Sequence, residues 1–275
     1  MAYEMIVLDL DGTLTNSKKE ISPKTKKALM KTQEDGIKIV LASGRPTPGI
    51  LHLAKELELD QYDGYILSFN GAKIIHCASK EVIYNKTLPK DMISMIFQEV
   101  KRLGTGILTY TEEEIISGNG IDQYSQLESR VNKIPMKEVE DFDKYIDFPI
   151  NKCLLTADPD KILYAEEELK EKFKEKLNIY KSEPFFLEIM PKNIDKAYSL
   201  SKLLEHVGIN RKQMICCGDG FNDLSMIRYA GLGVAMKNAQ DPVKKEADFI
   251  TLSNDEDGIA YVIEKFIEKE IDYEF

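Results

Sequence analysis

The sequence predicts an α/β protein: an open parallel sheet with helices on its faces, assembled from both ends of the chain and interrupted in the middle by an α+β insertion. Three observations carry this. Short β-branched runs ("EMIVLDL", "IKIVLA", "GYILSF") alternate with amphipathic stretches in the N-terminal part. The same alternation returns from "DKAYSLSKLLEHVG" onward. Between them, the strand ends lose their acidic and glycine-rich residues. Strands alternating with helices at this rhythm form parallel sheets with right-handed crossovers.

Taken in order, "EMIVLDL" is a strand and "SPKTKKALMKTQEDG" a helix, opened by Ser-Pro and closed by glycine. "IKIVLASGR" is a second strand that ends in small residues, and "TPGILHLAKELEL" is helical by the spacing of Ile50, Leu53, Ala54 and Leu57. "GYILSFNGA" is the third strand. After about Val82 the rhythm changes to a helix ("KDMISMIFQEVKRLG"), strands ("GILTYTE", "INKCLLTA"), a long helix ("DKILYAEEELKEKFKEKL") and one or two strands in "NIYKSEPFFLEIM". The charge run "EEELKEKFKEK" reads as a solvated helix face with i,i+4 pairs. The first rhythm resumes with the helix "DKAYSLSKLLEHVG" and the strand, loop and helix of "QMICCGDGFNDLSMIRYAG". Two short strands, "LGVAM" and "DFITL", and a closing helix, "GIAYVIEKFIEKE", complete it. The expected division is residues 1–83 with 190–275 for the sheet, and 84–189 for the insertion.

Composition excludes several classes. The 275 residues are 43% hydrophobic and 31% charged, ordinary for a globular protein. A net charge of −10 argues against nucleic acid as partner, because phosphate backbones are bound by clustered Lys and Arg. "AYEMIVLDLDG" follows Met1 with no basic leader, and no apolar stretch reaches the roughly 18 residues of a membrane span, so the cytoplasm is the expected location. Cys77, Cys153, Cys216 and Cys217 lack the spacing of a disulfide framework or zinc site and read as buried thiols. Cys216 and Cys217 in a strand point to opposite faces. His52, His76 and His206 are scattered, without a metal-ligand partner at useful spacing.

Ligands of open parallel sheets bind outside the carboxyl ends of the strands. The unusual polar residues stand there: Asp9 and Asp11; Ser43, Gly44 and Arg45; Asn70 and Gly71; Asp219, Asn222 and Asp223. Two free carboxylates about 4 Å apart repel by roughly 4 kcal/mol in a partly buried site, so something must offset the charge. Four carboxylates around one point suit a hard cation, magnesium above calcium. Ser43 offers a hydroxyl, Gly44 an N–H near a helix start and Lys196 a point charge, all suited to phosphate oxygens. Asp9 as nucleophile would give an aspartyl-phosphate, and Asp11, on the same face of an extended strand end, would shuttle the proton. "GDGFND" alone also reads as a glycine turn with a helix cap. Arg45 reads equally as a substrate contact or as a brace between loops.

"DLDGT", "ASGR", Lys196 and "GDGFND", in that order, resemble the four motifs of the haloacid dehalogenase-like (HAD) hydrolases, and the insertion resembles the α/β cap of the Cof-type phosphatases. The resemblance extends to "SFNGA", "LEIMPKNIDKA", "GVAMKNA" and "SNDEDGIA". It implies a Rossmann-like core with an inserted α+β cap domain that closes over the substrate. Asp9 is then the nucleophile and a metal ligand, and Asp11 the acid/base, binding metal through its carbonyl. Asp219 is the third protein ligand, with Asp223 helping through water, and the metal is Mg2+. Ser43, Gly44, Lys196, Asn222 and the N–H of Leu10 bind phosphate, with Arg45, Asn70 and Gly71 as substrate-side candidates. The second acid, Asp11, favours phosphate monoester chemistry over the ATPase and dehalogenase branches. Two departures are Ala197 and Lys237, where glycine is usual; Lys237 reads as solvated or as added charge near the cleft. Tyr124, Arg130, Lys133, Phe185 and Phe186 are cap residues of a kind that lines pockets, or, for the aromatics, builds a core. The expected activity is Mg-dependent hydrolysis of small phosphorylated metabolites, sugar phosphates first, with no nucleic-acid, membrane or obligate protein partner. The alternatives are a phosphomutase and a non-enzymatic phospho-ligand sensor.

Overall fold

The computed structural model describes residues 2–268. β1 (Met5–Leu8) is buried along its whole length, as befits a central parallel strand. α1 (Pro23–Glu34) follows; the Ser22 side chain accepts the Thr25 N–H and Pro23 fills the first turn, where its missing donor costs nothing. Next come β2 (Lys38–Ala42), α2 (Thr47–Glu56), β3 (Tyr65–Ser68), β4 (Lys73–His76) and β5 (Val82–Asn85).

The insertion contains α3 (Lys90–Leu103), β6 (Gly106–Tyr110), β7 (Ile115–Gly118), α4 (Gln123–Asn132), β8 (Met136–Val139), α5 (Phe142–Tyr145), β9 (Cys153–Thr156), α6 (Pro159–Phe173), β10 (Leu177–Glu183) and β11 (Phe186–Pro191). The chain then returns through α7 (Lys196–Val207), β12 (Met214–Gly218), α8 (Leu224–Tyr229), β13 (Leu232–Ala235), α9 (Asp241–Glu246), β14 (Phe249–Ile250) and α10 (Gly258–Ile263).

The first sheet runs β14-β13-β12-β1-β2-β3-β4-β5. It is parallel from β14 to β3, and β4 turns back antiparallel to β3. β1 lies between β2 and β12, with Val7 opposite Val40 on one side and Cys216 on the other. Alternation divides the strands between two cores. Ile6, Leu8, Ile39, Leu41, Ile215 and Cys217 pack with Leu29 of α1 and Ile50 and Leu53 of α2. Met5, Val7, Val40, Met214 and Cys216 pack with Leu200 and Leu203 of α7 and Met226 of α8. The two neighbouring cysteines thus face opposite ways, and both are free and buried.

The second sheet runs β10-β11-β9-β6-β7-β8 and is antiparallel except for the β7–β8 pair. Ile107, Ile116, Cys153, Leu155, Leu187 and Ile189 cover one face and pack on Ile93, Ile96 and Phe97 of α3 and Ile162 and Leu169 of α6. Alternation turns Lys152 and Glu188 to the other face, where they pair at 3.3 Å. On α6 the charge run forms the helical pairs Lys170–Glu166 (2.7 Å) and Lys174–Glu171 (3.2 Å).

Two compact units result: residues up to Arg45 with Ile50–Tyr84 and Asp195 onward, and Pro46–Gly49 with Asn85–Ile194. The second junction lies five residues beyond that read from the sequence, because β11 runs on to Pro191 before α7 opens at Lys196. β4, β5, β7 and β8 were not foreseen; they are as short as β1 but lack the uninterrupted apolar run that marks it. Nor was α4, whose sequence "QYSQLESRVN" is largely polar and whose capping box opens on Asp122. The closing helix continues after α10 as a π-turn over Glu264–Glu268, and Lys269 and Glu270 of the expected helix lie outside the described residues. Among the described residues no helix is long and apolar enough to cross a membrane.

In the second unit Phe97 and Phe142 meet with ring centroids 5.6 Å apart, and both are buried. Phe142→Ala is expected to cost about 3–5 kcal/mol, read from a urea unfolding curve, since the cavity cannot collapse around so large a loss. A cost under about 1 kcal/mol would mean that this core relaxes freely.

Candidate active site

At the end of β1 the Asp9 N–H bonds the Cys217 carbonyl, and there the ladder stops. The chain turns: Leu14 N–H bonds the Asp9 carbonyl, and Thr13 and Thr15 N–H bond that of Leu10, whose side chain is buried in the core. Gly12 has φ +84°, and a Cβ there would overlap the Asp219 carboxylate, so glycine is what lets this loop lie against the end of β12. Thr13 Oγ1 donates to Asp219 Oδ1 at 3.1 Å.

This turn corrects one expectation. Asp11 lies beyond the end of β1, after the turn at Leu10. The carboxylate oxygens brought within 4.8 Å of one another are those of Asp9, Asp219 and Asp223, three rather than four. The Asp11 carboxylate is instead gripped by Arg45, Nε to Oδ2 at 2.8 Å and Nη2 to Oδ1 at 2.6 Å, and by Lys19 at 2.8 Å. Burial would raise its pKa, but these hydrogen bonds and charges hold it below the usual carboxylate range. Of the two roles open to Arg45, the brace is the contact present.

Lys196 supplies the positive charge for the triad. It opens α7, whose N-terminus is capped by Asp195 accepting the Tyr198 N–H, and it is wholly buried. Its ammonium has three donors, and they go to Asp9 Oδ1 (2.7 Å), Asp223 Oδ1 (2.6 Å) and the Ala42 carbonyl (3.0 Å). Burial alone would depress its pKa; Asp223 and Asp9 more than offset that and hold it charged. One ammonium does not balance three carboxylates. Burial, and then the neighbouring Asp223, push Asp9 well above its ordinary range and Asp219 up to about 6. An all-oxygen donor set with surplus negative charge is what a hard divalent cation takes.

Asp223 also shapes its own loop: its Oδ2 accepts the N–H groups of Asp219 (3.0 Å) and Gly220 (2.9 Å). "GDGFND" is therefore both the glycine turn and part of the acidic group. From β2 and β3, Ser43 N–H bonds the Leu67 carbonyl, Asn70 N–H that of Ser43, and Phe69 N–H that of Arg45. Gly44 lies against the Asn70 carboxamide, to which Asn222 Nδ2 donates at 3.1 Å. Gly71 receives the Ser199 hydroxyl on its carbonyl.

Lys19 and Asn238 had not been singled out from the sequence. Lys19 sits in "NSKKE", where nothing distinguishes it from a solvated lysine. Asn238, which donates to the Gly12 carbonyl at 2.8 Å, lies in "GVAMKNA". Its neighbour Lys237 is exposed and pairs with Glu256 at 3.0 Å. In the second unit Tyr124 stacks on Phe185 at 4.8 Å and Phe185 meets Phe186 edge-on, while Arg130 and Lys133 are exposed.

Known proteins are similar to this chain along nearly all of its length. The haloacid dehalogenase-like hydrolase family matches residues 6–263. A haloacid dehalogenase-like hydrolase from Bacteroides thetaiotaomicron is 51% identical, superposes with a TM-score of 0.93 and is covered over 99% of its length by 96% of this chain. The 5-amino-6-(5-phospho-D-ribitylamino)uracil phosphatase YcsE of Bacillus subtilis (strain 168) is 30% identical over 96% of either chain. The structure of BT4131, described as a HAD subclass IIB sugar phosphatase, gives a TM-score of 0.81 at 25% identity, over 96% of this chain and 98% of its own. With a family match over residues 6–263 and a phosphatase relative 30% identical over nearly the full length of both chains, this chain belongs to the haloacid dehalogenase-like hydrolases and is a phosphatase of their Cof type.

Proposed function

We propose that the protein is a magnesium-dependent phosphatase of small phosphorylated metabolites, sugar phosphates first among them, acting in the cytoplasm through an aspartyl-phosphate. The observation that carries this reading is Asp9, fixed by one oxygen to the Lys196 ammonium beside Asp219 and Asp223, with Asp11 two residues on but held by different cations. Lys196 occupies Asp9 Oδ1, so Oδ2 is the oxygen that attacks phosphorus. The new Oδ2–P bond forms as the ester P–O bond breaks, and Asp11 gives a proton to the leaving alkoxide. Asp11 then takes a proton from water, whose oxygen displaces Asp9 from phosphorus and releases inorganic phosphate.

Paired with Arg45 and Lys19, Asp11 is in its base form, and the acid step requires it to release those partners and take up a proton from solvent before it meets the leaving oxygen. The Ser43 hydroxyl, the N–H groups of Leu10 and Gly44, Asn222 and Lys196 bind the phosphoryl oxygens. Asp9, the Asp11 carbonyl, Asp219 and, through water, Asp223 would hold magnesium, which would offset the negative charge of phosphate and carboxylates together. The substrate class draws support from the two relatives whose names carry a phosphoribityl group and a sugar.

Phosphate release from a panel of sugar phosphates, nucleotides, flavin and pyridoxal phosphates is expected with magnesium, to be abolished by EDTA, and to fall by about 10⁴-fold or more in Asp9→Asn. Normal turnover in that variant would sink the nucleophile assignment, and release in EDTA would sink the metal.

Lys196→Met leaves three carboxylates with no buried cation. It is expected to lose activity and, in metal-free buffer, about 3–5 kcal/mol of unfolding free energy, with part of that loss restored by magnesium. Equal destabilisation with and without magnesium would count against the acidic triad as the metal site.

A further inference from the structure

The turn after β3 has the least ordinary backbone near the site. Phe69 (φ 53°), Asn70 (φ 53°) and Gly71 (φ 103°) occupy the left-handed region in succession, and two of them carry side chains. Residues other than glycine are rarely found there, and such strain persists where the surroundings over-determine it. Here the contacts of the turn go to three loops that carry site residues. The N–H groups of Phe69 and Asn70 bond the carbonyls of Arg45 and Ser43, after β2. The Gly71 carbonyl accepts the Ser199 hydroxyl, and a Cβ on Gly71 would stand 2.8 Å from the Asp195 carbonyl, at the start of α7, which carries Lys196. The Asn70 Oδ1 accepts Asn222 Nδ2, after β12.

We propose that Asn70 is a positioning residue for phosphate binding, whose carboxamide, aimed by the left-handed turn, sets Asn222 and the Gly44 backbone toward the phosphoryl oxygens. The proposal rests on the phosphatase reading given above. Asn222 is held by its Nδ2 through a single side chain 152 residues away in sequence. The same carboxamide lies against Gly44, where a Cβ would be 3.1 Å from both its nitrogen and its oxygen, so the two loops are registered against one planar group. A purely structural role would need only the backbone of the turn.

Glycine separates the two, because it adopts the left-handed region freely and removes only the carboxamide. In Asn70→Gly the unfolding midpoint is expected to stay or rise. Its affinity for inorganic phosphate, by calorimetry in magnesium buffer, and its kcat/KM are each expected to fall about tenfold, the scale of one positioned hydrogen bond. Asn222→Ala should show a similar loss, and the double variant no more than Asn222→Ala alone. Wild-type phosphate affinity in folded Asn70→Gly, or losses that add in the double variant, would overturn the proposal. A wild type that hydrolyses no ester but shows this pattern for phosphate would sink the hydrolytic reading and support the role of Asn70. A wild type that neither hydrolyses nor binds phosphate would overturn both.

Discussion

The ammonium of Lys196 is the contact on which the site depends. A lysine with no exposed surface is tolerated only where its charge is matched and each proton has an acceptor. Asp9, Asp223 and the Ala42 carbonyl meet those conditions from the ends of β1, β12 and β2. Three strand ends and one helix start are thereby pinned to a point, and moving any one strands a buried charge. The same pin spends one oxygen each of Asp9 and Asp223, which leaves Asp9 a free oxygen and gives Asp223 its second oxygen to fold the Asp219–Gly220 turn. The position of Asp9 and the fold of the Asp219–Gly220 turn come from one set of bonds.

Charge in the site is partitioned rather than cancelled. Asp11, though adjacent in sequence to the triad, is withdrawn to Arg45 and Lys19, so that two carboxylates separated by one residue live in opposite electrostatic surroundings. Burial and a second acid push Asp9 up, and two cations pull Asp11 down. Such divergence is what the two roles proposed for this loop require.

The parallel core, the order of its main elements and the four loops were legible from the sequence, because long periodic segments and DxDGT-like strand ends are local signals. Ile50, Leu53 and Ala54 form the buried side of α2 that their spacing indicates, and Leu57, just past its end, is buried with them. What was not legible depends on three dimensions. The departure of Asp11 from its neighbours follows from a turn that tertiary contacts with Asp219 impose. The partner role of Lys19 needs the loop to be folded first. The short strands β4, β5, β7 and β8 take their conformation from the sheets they join, since polar or glycine residues break the apolar run that marks the equally short β1.

β1 is made before both of its neighbours and lies in the middle of its sheet, yet one of them, β12, begins at Met214. During synthesis the opening segment must therefore wait with one row of hydrogen-bonding groups uncovered while more than 200 residues emerge, about ten seconds or more at ordinary translation rates. The second unit is nearly contiguous in sequence and can complete its own sheet in that interval. The nascent chain thus carries a half-paired, wholly apolar strand until β12 emerges. That is the period when it is most exposed to aggregation and most dependent on chaperones.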